Sequence, residues 1–99
     1  MTCNHLIIIT KSYKKDKKLM AIFENCNTSK TKIIHFGSSG YDDYTTHKDD
    51  KRKQLYLARH RKNEDWTNPI TAGSLSRWIL WNKTSLNASI ADYKKRFNL

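Results

Sequence analysis

The chain has 99 residues, the size of one domain, so we expect a single domain over residues 1–99. Its longest largely apolar run, Leu6 to Thr10, is far shorter than the roughly 18 residues of a membrane span, and we expect no signal peptide and no membrane partner. Lys and Arg number 19 against 9 Asp and Glu, and the net charge of +10 predicts a polyanionic partner, with nucleic acid first.

The first third of the chain predicts three β-strands joined by short polar turns. The strand-like runs are His5–Thr10, Lys18–Glu24 and Thr31–Phe36. Because the connections are too short for a parallel crossover, the strands should form an antiparallel meander. The unbroken apolar character of the first strand predicts burial on both of its faces or nearly so.

The turn between the first two strands is rich in lysine. Beside Tyr13 it carries Lys14, Lys15, Lys17 and Lys18. Two interpretations stay open. Lysines at a hairpin tip and sheet edge keep the edge soluble and prevent it from pairing with another edge. Alternatively, the same lysines form a basic finger that contacts phosphates.

The middle of the chain predicts the main helix. The turn Gly37–Gly40 and the acidic, aromatic loop Tyr41–Tyr44 precede it. Thr46 and Asp49 have the spacing of a capping box, which predicts a helix of about 15 residues that begins at His47. Clustered cations on this helix are the candidate phosphate contacts Lys48, Lys51, Arg52, Arg59 and Arg61.

This helix has no clean apolar face, so the direction of its two central arginines stays open. In one interpretation Leu55, Tyr56 and Ala58 face the sheet, and the stems of Arg52 and Arg59 pass beside them to solvent. In the other, both arginines point inward and contribute nothing to binding. Their ion-pair partners would then be Asp42, Asp43 or Glu64.

Two further helices are predicted after Pro69. Thr71 or Ser74 should cap the helix Leu75–Trp81, and the last helix should run from about Ser85 to Phe97. The expected core of the domain consists of Trp66, Trp78, Ile79, Ile90 and Tyr93.

The histidines and cysteines lack any diagnostic metal or catalytic spacing, so we expect no enzyme, no cofactor and no metal. Cys3 and Cys26 are too few for a zinc site and are expected to be reduced thiols. A metal-dependent nuclease is the third alternative, and its ligands would be His47 and His60 with Asp42 or Asp43. However, the two histidines lie thirteen residues apart, too far for one ion bound from a single straight helix.

Four short motifs follow one another along the last two thirds of the chain. They read FG-x-x-GY-x-DYT-x-HKD, RH-x-x-x-E-x-W, SRW-x-LWNK and DYKKRF, and all lie between Lys32 and Phe97. Here the chain resembles a family of small basic proteins of giant DNA viruses of amoebae and algae. The resemblance implies a viral protein in the host cytoplasm (the viral factory) or in the virion, and it implies no catalytic residue.

These patterns predict an α+β domain in which a three-stranded antiparallel meander (1–36) packs against three helices (46–97). We expect a non-enzymatic basic viral protein that binds nucleic acid, DNA before RNA, through its phosphates. Its role would be in genome packaging or in the replication compartment. The alternative is a structural or interaction protein of the virion or viral factory, which forms a homodimer through a sheet edge or binds acidic viral or host proteins.

Overall fold

The computed structural model describes residues 4–99 and confirms the α+β fold, with a three-stranded antiparallel sheet followed by helices. The strands, in the spatial order β1-β2-β3, are β1 (Asn4–Lys11), β2 (Lys17–Asn25) and β3 (Thr31–Ser38). The helices are α1 (Tyr44–His47), α2 (Asp50–His60), α3 (Ala72–Leu75), which continues into a π segment (Ser76–Leu80), and α4 (Leu86–Phe97). None of the helices in this range has both the length and the apolar composition that a bilayer span requires.

One face of the sheet carries the core, and the edge strand β1 is only partly covered. Ala21 and Phe23 of β2 and Phe36 of β3 are fully buried. By contrast, Ile7 is 51% exposed and Ile8 is 48% exposed. The expected burial of β1 on both faces is therefore wrong, because β1 lies at the sheet edge and the helices pack near β3.

The rest of the core comes from the last third of the chain. Leu75 and Ile79, with Tyr93 of α4, are fully buried against the sheet. Ile79 and Tyr93 are thus confirmed as core residues, while Trp78 and Ile90 are only partly buried at its margin. Trp66 lies outside this cluster, where its indole Nε1 donates a hydrogen bond to a neighbouring carboxylate.

The main helix begins later than predicted, because a separate helical turn precedes it. Asp43 caps α1, and the Thr46 hydroxyl completes a capping box by accepting from the Asp43 N–H (3.0 Å). Lys48 then adopts the left-handed conformation (φ +56°) and ends α1, and Asp49 caps α2. The predicted continuous helix from His47 is wrong at its start, since Thr46 serves the cap at Asp43 rather than forming one itself.

The third predicted helix is divided into an α turn and a π turn. Thr71 caps α3 by accepting from the Ser74 N–H (3.1 Å), so the helix begins three residues before Leu75. The Trp81 N–H then donates to the Ser76 carbonyl (3.0 Å), five residues back, which is the π-helical pattern. The last helix begins as predicted, with Ser85 as its N-cap.

The expectation of reduced cysteines is wrong for Cys26, which is disulfide-bonded. Cys3 lies outside the described residues.

Candidate nucleic-acid interface

A groove of about 620 Å³ opens where the end of the sheet meets the loop before α1, helix α2 and the π segment. Lys17 and Lys18 of β2, the turn after Phe36 and the loop from Tyr41 to Asp43 form part of its lining. Arg52, Leu55, Tyr56, Arg59 and His60 of α2 form another part. The groove therefore collects side chains from four separate parts of the sequence.

Its floor is aromatic and apolar. The rings of Tyr56 and Trp81 stack in parallel, with centroids 4.2 Å apart and an interplanar angle of 3°. His60 lies against the other face of Tyr56 (4.3 Å), and His47 lies against Trp81 (5.3 Å). The result is a column of four rings, which ties α2 to the π segment and presents His60 and Tyr56 to the groove.

The phenol in this column stays neutral. Burial raises the pKa of Tyr56, the nearby Glu64 carboxylate raises it further, and the positive charge of Arg77 opposes only part of this rise. The neutral phenol therefore adds no formal negative charge to the floor of the groove.

The two central arginines of α2 are exposed at the rim of this groove. Arg52 and Arg59 line it, and neither has an ion-pair partner within residues 4–99. The inward interpretation therefore does not hold: both arginines are exposed and pair with none of the three proposed partners, and two of those partners have other contacts. The Asp43 carboxylate pairs with Lys18, and that of Glu64 contacts His60 and accepts from Trp66.

The apolar side of α2 also differs from the prediction. Leu57 is the buried aliphatic residue, while Leu55 is 57% exposed and Ala58 is exposed. Tyr56 is the one member of the predicted set that packs inward, through its stacking on Trp81. Arg52, Tyr56 and Arg59 are spaced four and three residues apart, so they share the side of α2 that lines the groove, and Leu57 is not part of that lining.

Of the predicted hairpin-tip contacts, the structure brings two into the groove. Lys17 is half-buried and lines the wall, and Lys18 lines it too but is committed to Asp43, with Nζ 2.7 Å from Oδ2. That ion pair, with Asp43 only 3% exposed, holds the loop before α1 against the sheet. Lys18 is thus a structural residue rather than an available phosphate contact.

The remaining predicted contacts lie outside the groove. They are exposed on the hairpin tip, at the end of α1 and on the outer surface of α2 and its C-cap. These residues are Lys14, Lys15, Lys48, Lys51 and Arg61. They add to the general positive potential of the surface but form no common site with Arg52 and Arg59.

Sequence reasoning missed the groove itself, which depends on Gly37 and on the π segment. Gly37 has a φ of +78°, and a Cβ at this position would lie 2.6 Å from Leu80 Cδ1. The absence of a side chain therefore lets the π segment lie directly over β3, with Leu80 and Trp81 at the groove floor. The one available signal was a glycine placed at the end of a predicted strand.

His47 and His60, the two histidines considered as metal ligands, take part in ring packing. The Asp49 N–H donates to His47 Nδ1 (2.9 Å), and the rings of His47 and His60 both belong to the aromatic column. Among residues 4–99 no group of three or more His, Cys, Asp and Glu side chains is arranged to hold a metal ion.

The fold and the groove define a small basic α+β protein with an aromatic, cation-rimmed cleft. The family described as "Family of unknown function (DUF5754)" matches residues 7–60, which is more than half of the chain, and the protein belongs to this family. The matched part contains the sheet, the loop at Tyr41 and α2, and it ends before the π segment. No curated protein and no solved structure matches the chain.

Proposed function

We propose that this protein binds nucleic acid, DNA before RNA, without catalysis and through contacts to phosphates. The observation that carries the proposal is the pair Arg52 and Arg59, exposed on one side of an aromatic groove and without a carboxylate partner in the described chain. Seven residues separate them, which is about two helical turns or roughly 10 Å along the axis of α2. Arginine is suited to this role because its guanidinium binds phosphate oxygens in a bidentate manner.

The charge of the whole chain supports the same conclusion. A net charge of +10 on 99 residues attracts a polyanion, and the counterions released by each neutralised phosphate favour binding at low salt. Contacts of this kind position a protein on a strand but carry little sequence information. We therefore expect weak dependence on base sequence and strong dependence on salt.

The test is fluorescence anisotropy with a labelled single strand and a labelled duplex, from about 50 to 300 mM salt. The variant Arg52→Gln/Arg59→Gln should bind more weakly, and its salt slope should fall by nearly two because two phosphate contacts are lost. The matched control, Lys94→Gln/Lys95→Gln, removes the same charge from exposed positions of α4. An equal loss in both variants would show that binding follows net charge and not the groove.

A third variant decides the role of the hairpin tip. Lys14→Gln/Lys15→Gln changes exposed lysines that have no ion pair in the described residues. If the tip contacts phosphates, the salt slope should fall as it does for the arginine variant. An unchanged slope would leave the tip lysines with the protective role that suits a sheet edge.

A second candidate function is protein assembly through β1. This strand is a sheet edge, and Ile7 and Ile8 are about half exposed on it, so a second copy or an acidic partner protein could pair there. Light-scattering mass over a hundredfold dilution tests a homodimer, and Ile8→Lys should convert a dimer to a monomer. A monomeric mass for the unmodified chain at all concentrations would rule the homodimer out.

The biological setting that we propose rests on the resemblance to small basic proteins of giant DNA viruses. A phosphate-binding protein of this kind would act in genome packaging or in the replication compartment, in the virion or the viral factory of the host cytoplasm. Detection of the protein by mass spectrometry in purified particles, against its amount in infected-cell cytoplasm, distinguishes these two locations.

A further inference from the structure

We infer that the groove takes an unpaired nucleotide of a single strand, with its base inside and its phosphates on the rim. This inference rests on the proposed nucleic-acid binding and deepens it, because charge alone does not distinguish a single strand from a duplex. The distinction comes from the kind of surface that lies between the cations.

The size of the groove suits such an occupant. Its volume of about 620 Å³ falls within the roughly 300 to 1,000 Å³ typical of small-molecule sites, so it has room for one nucleotide. The cations that flank it come from both sides, with Lys17 on β2 and Arg52 and Arg59 on α2. A strand that crosses the groove can therefore place successive phosphates on the two rims.

The floor of the groove favours a base over a phosphate backbone. Tyr56 and Trp81, which are partly exposed, offer ring surface, and such surface gains nothing from contact with a phosphodiester. In an intact duplex the faces of the bases are stacked on each other, and only phosphates, sugars and base edges reach a protein. An unpaired base has a free face and gains about 1 to 3 kcal/mol from stacking on an aromatic side chain.

Tyr41 supplies such a side chain in the lining of the groove. Its ring is 73% exposed, although it lines the groove, and it stacks on no other ring within residues 4–99. The rings of Tyr56 and Trp81, by contrast, already have neighbours in the aromatic column. Tyr41 is thus an exposed groove ring that has no ring neighbour in the described chain, and we assign it the stacking contact.

The carboxylates of the groove limit where the phosphates can lie. Asp43 is neutralised by Lys18, but Asp42 is exposed beside Tyr41 and has no ion-pair partner in the described chain. Asp42, next to Tyr41 in the lining, repels a phosphate there and can accept a hydrogen bond from the amino group of a base. This arrangement places the base near Tyr41 and the phosphates near Arg52 and Arg59.

The experiment compares Tyr41→Ala with the unmodified protein on a labelled single strand and on a labelled duplex of the same length, at one low salt concentration. Loss of one stacking contact should weaken single-strand binding by about 5- to 150-fold. Duplex binding should change less than twofold, and Tyr41→Phe should retain single-strand binding. Because Tyr41 is exposed, the thermal midpoint of Tyr41→Ala should equal that of the parent.

Tyr13→Ala is the matched control, since Tyr13 is 70% exposed but lies outside the groove. The control should leave both affinities unchanged. If Tyr41→Ala affects neither ligand, or both equally, or if the parent protein prefers the duplex, the inference is overturned while the phosphate contacts of Arg52 and Arg59 stand. If the parent protein binds neither strand nor duplex, the proposed function itself fails.

Discussion

Gly37 shows how a single absent side chain shapes the groove. Its φ of +78° lies in the left-handed region, and Leu80 Cδ1 occupies the space where a Cβ would project. Gly40 has a similar backbone (φ +85°), but nothing lies within 4 Å of its Cβ position. A substitution at Gly40 therefore tests backbone strain alone, whereas one at Gly37 tests backbone strain together with the steric clash.

We expect Gly37→Ala to destabilise the fold by about 2 to 4 kcal/mol, since left-handed strain adds to the overpacking of Leu80. Gly40→Ala should cost only about 1 kcal/mol, because it has the strain without the clash. Urea unfolding followed by tryptophan fluorescence measures both. Equal costs for the two variants would mean that Leu80 moves aside freely and that the groove floor is not fixed by Gly37.

Asp92 is the residue of the helical half to which we assign a pH-dependent contribution to stability. Burial tends to raise the pKa of its carboxyl, but the hydrogen bond from Asn82 (2.7 Å) and the positive charge of Arg96 outweigh that effect and lower it. The folded state therefore binds fewer protons here than the unfolded state does. The resulting stability is present above the unfolded pKa of about 4 and is lost as the pH falls through the folded pKa.

In Asp92→Asn this stability should be missing, so the parent should have the higher thermal midpoint at about pH 6, and this difference should shrink as the pH falls below the unfolded pKa of about 4. Differential scanning calorimetry at several pH values measures the difference in thermal midpoint between the two proteins. Asp16→Asn, on the exposed hairpin tip, controls for the change in net charge. If the difference in thermal midpoint between the parent and Asp92→Asn stays constant over these pH values, ionised Asp92 does not contribute to stability.

The elements of this protein are joined by aromatic stacking as much as by aliphatic packing. Tyr56 of α2 lies between Trp81 and His60, and its stacking on Trp81 links α2 to the residue that follows the π segment. No hydrogen bond from its hydroxyl occurs within the described structure, while the ring itself is largely covered. The link therefore depends on the ring and not on the phenol oxygen.

Tyr56→Ala should cost about 3 to 4 kcal/mol, the usual range for removing a well-packed aromatic ring. Tyr56→Phe keeps the ring and should change the free energy of unfolding by less than about 0.5 kcal/mol. Chemical unfolding with circular dichroism checks both values. A large cost for Tyr56→Phe would show that the hydroxyl has a partner on which the column depends.

At the scale of elements, local sequence patterns predicted the strands and helix caps that depend on residues close together in the chain. The three strands follow from β-branched runs and short turns, and the N-cap at Ser85 and one of the two caps proposed for α3, Thr71, follow from hydroxyl residues before apolar stripes. The start of the main helix was mispredicted because Lys48 adopts a left-handed conformation that its residue type does not indicate. The edge exposure of β1 depends on which face the helices cover, and a strand's own sequence does not contain that information.

The candidate site was predictable only in part, because its lining depends on how separate elements pack together. Clustering on one helix identified Arg52 and Arg59, which do line the groove. It also selected Lys51 and Arg61, which lie on the same element but outside the groove. Tyr41 and Trp81 reach the groove from positions 40 residues apart, through a tight turn and a π segment that propensity does not indicate.

Over the whole molecule, positively charged side chains outnumber the carboxylates that could pair with them. Lys and Arg number 19 against 9 Asp and Glu, and the described residues contain four ion pairs, of which two involve histidine. Most cations are therefore exposed without a partner, and their mutual repulsion disfavours the compact state. Added salt should relieve that repulsion more than it weakens the few exposed pairs.

We therefore expect the thermal midpoint to rise by several degrees as sodium chloride increases from about 10 to 200 mM, a range over which the Debye length falls from about 30 Å to below 10 Å.

Sulfate at equal ionic strength should stabilise more, both by its exclusion from protein surface and by binding where arginines converge. Only the second effect depends on the groove. Arg52→Gln/Arg59→Gln should thus lose part of the difference between sulfate and chloride, while Lys94→Gln/Lys95→Gln should keep it. A midpoint that falls with salt would mean that repulsion does not limit this fold, and an equal sulfate effect in both variants would mean that the groove does not concentrate anions.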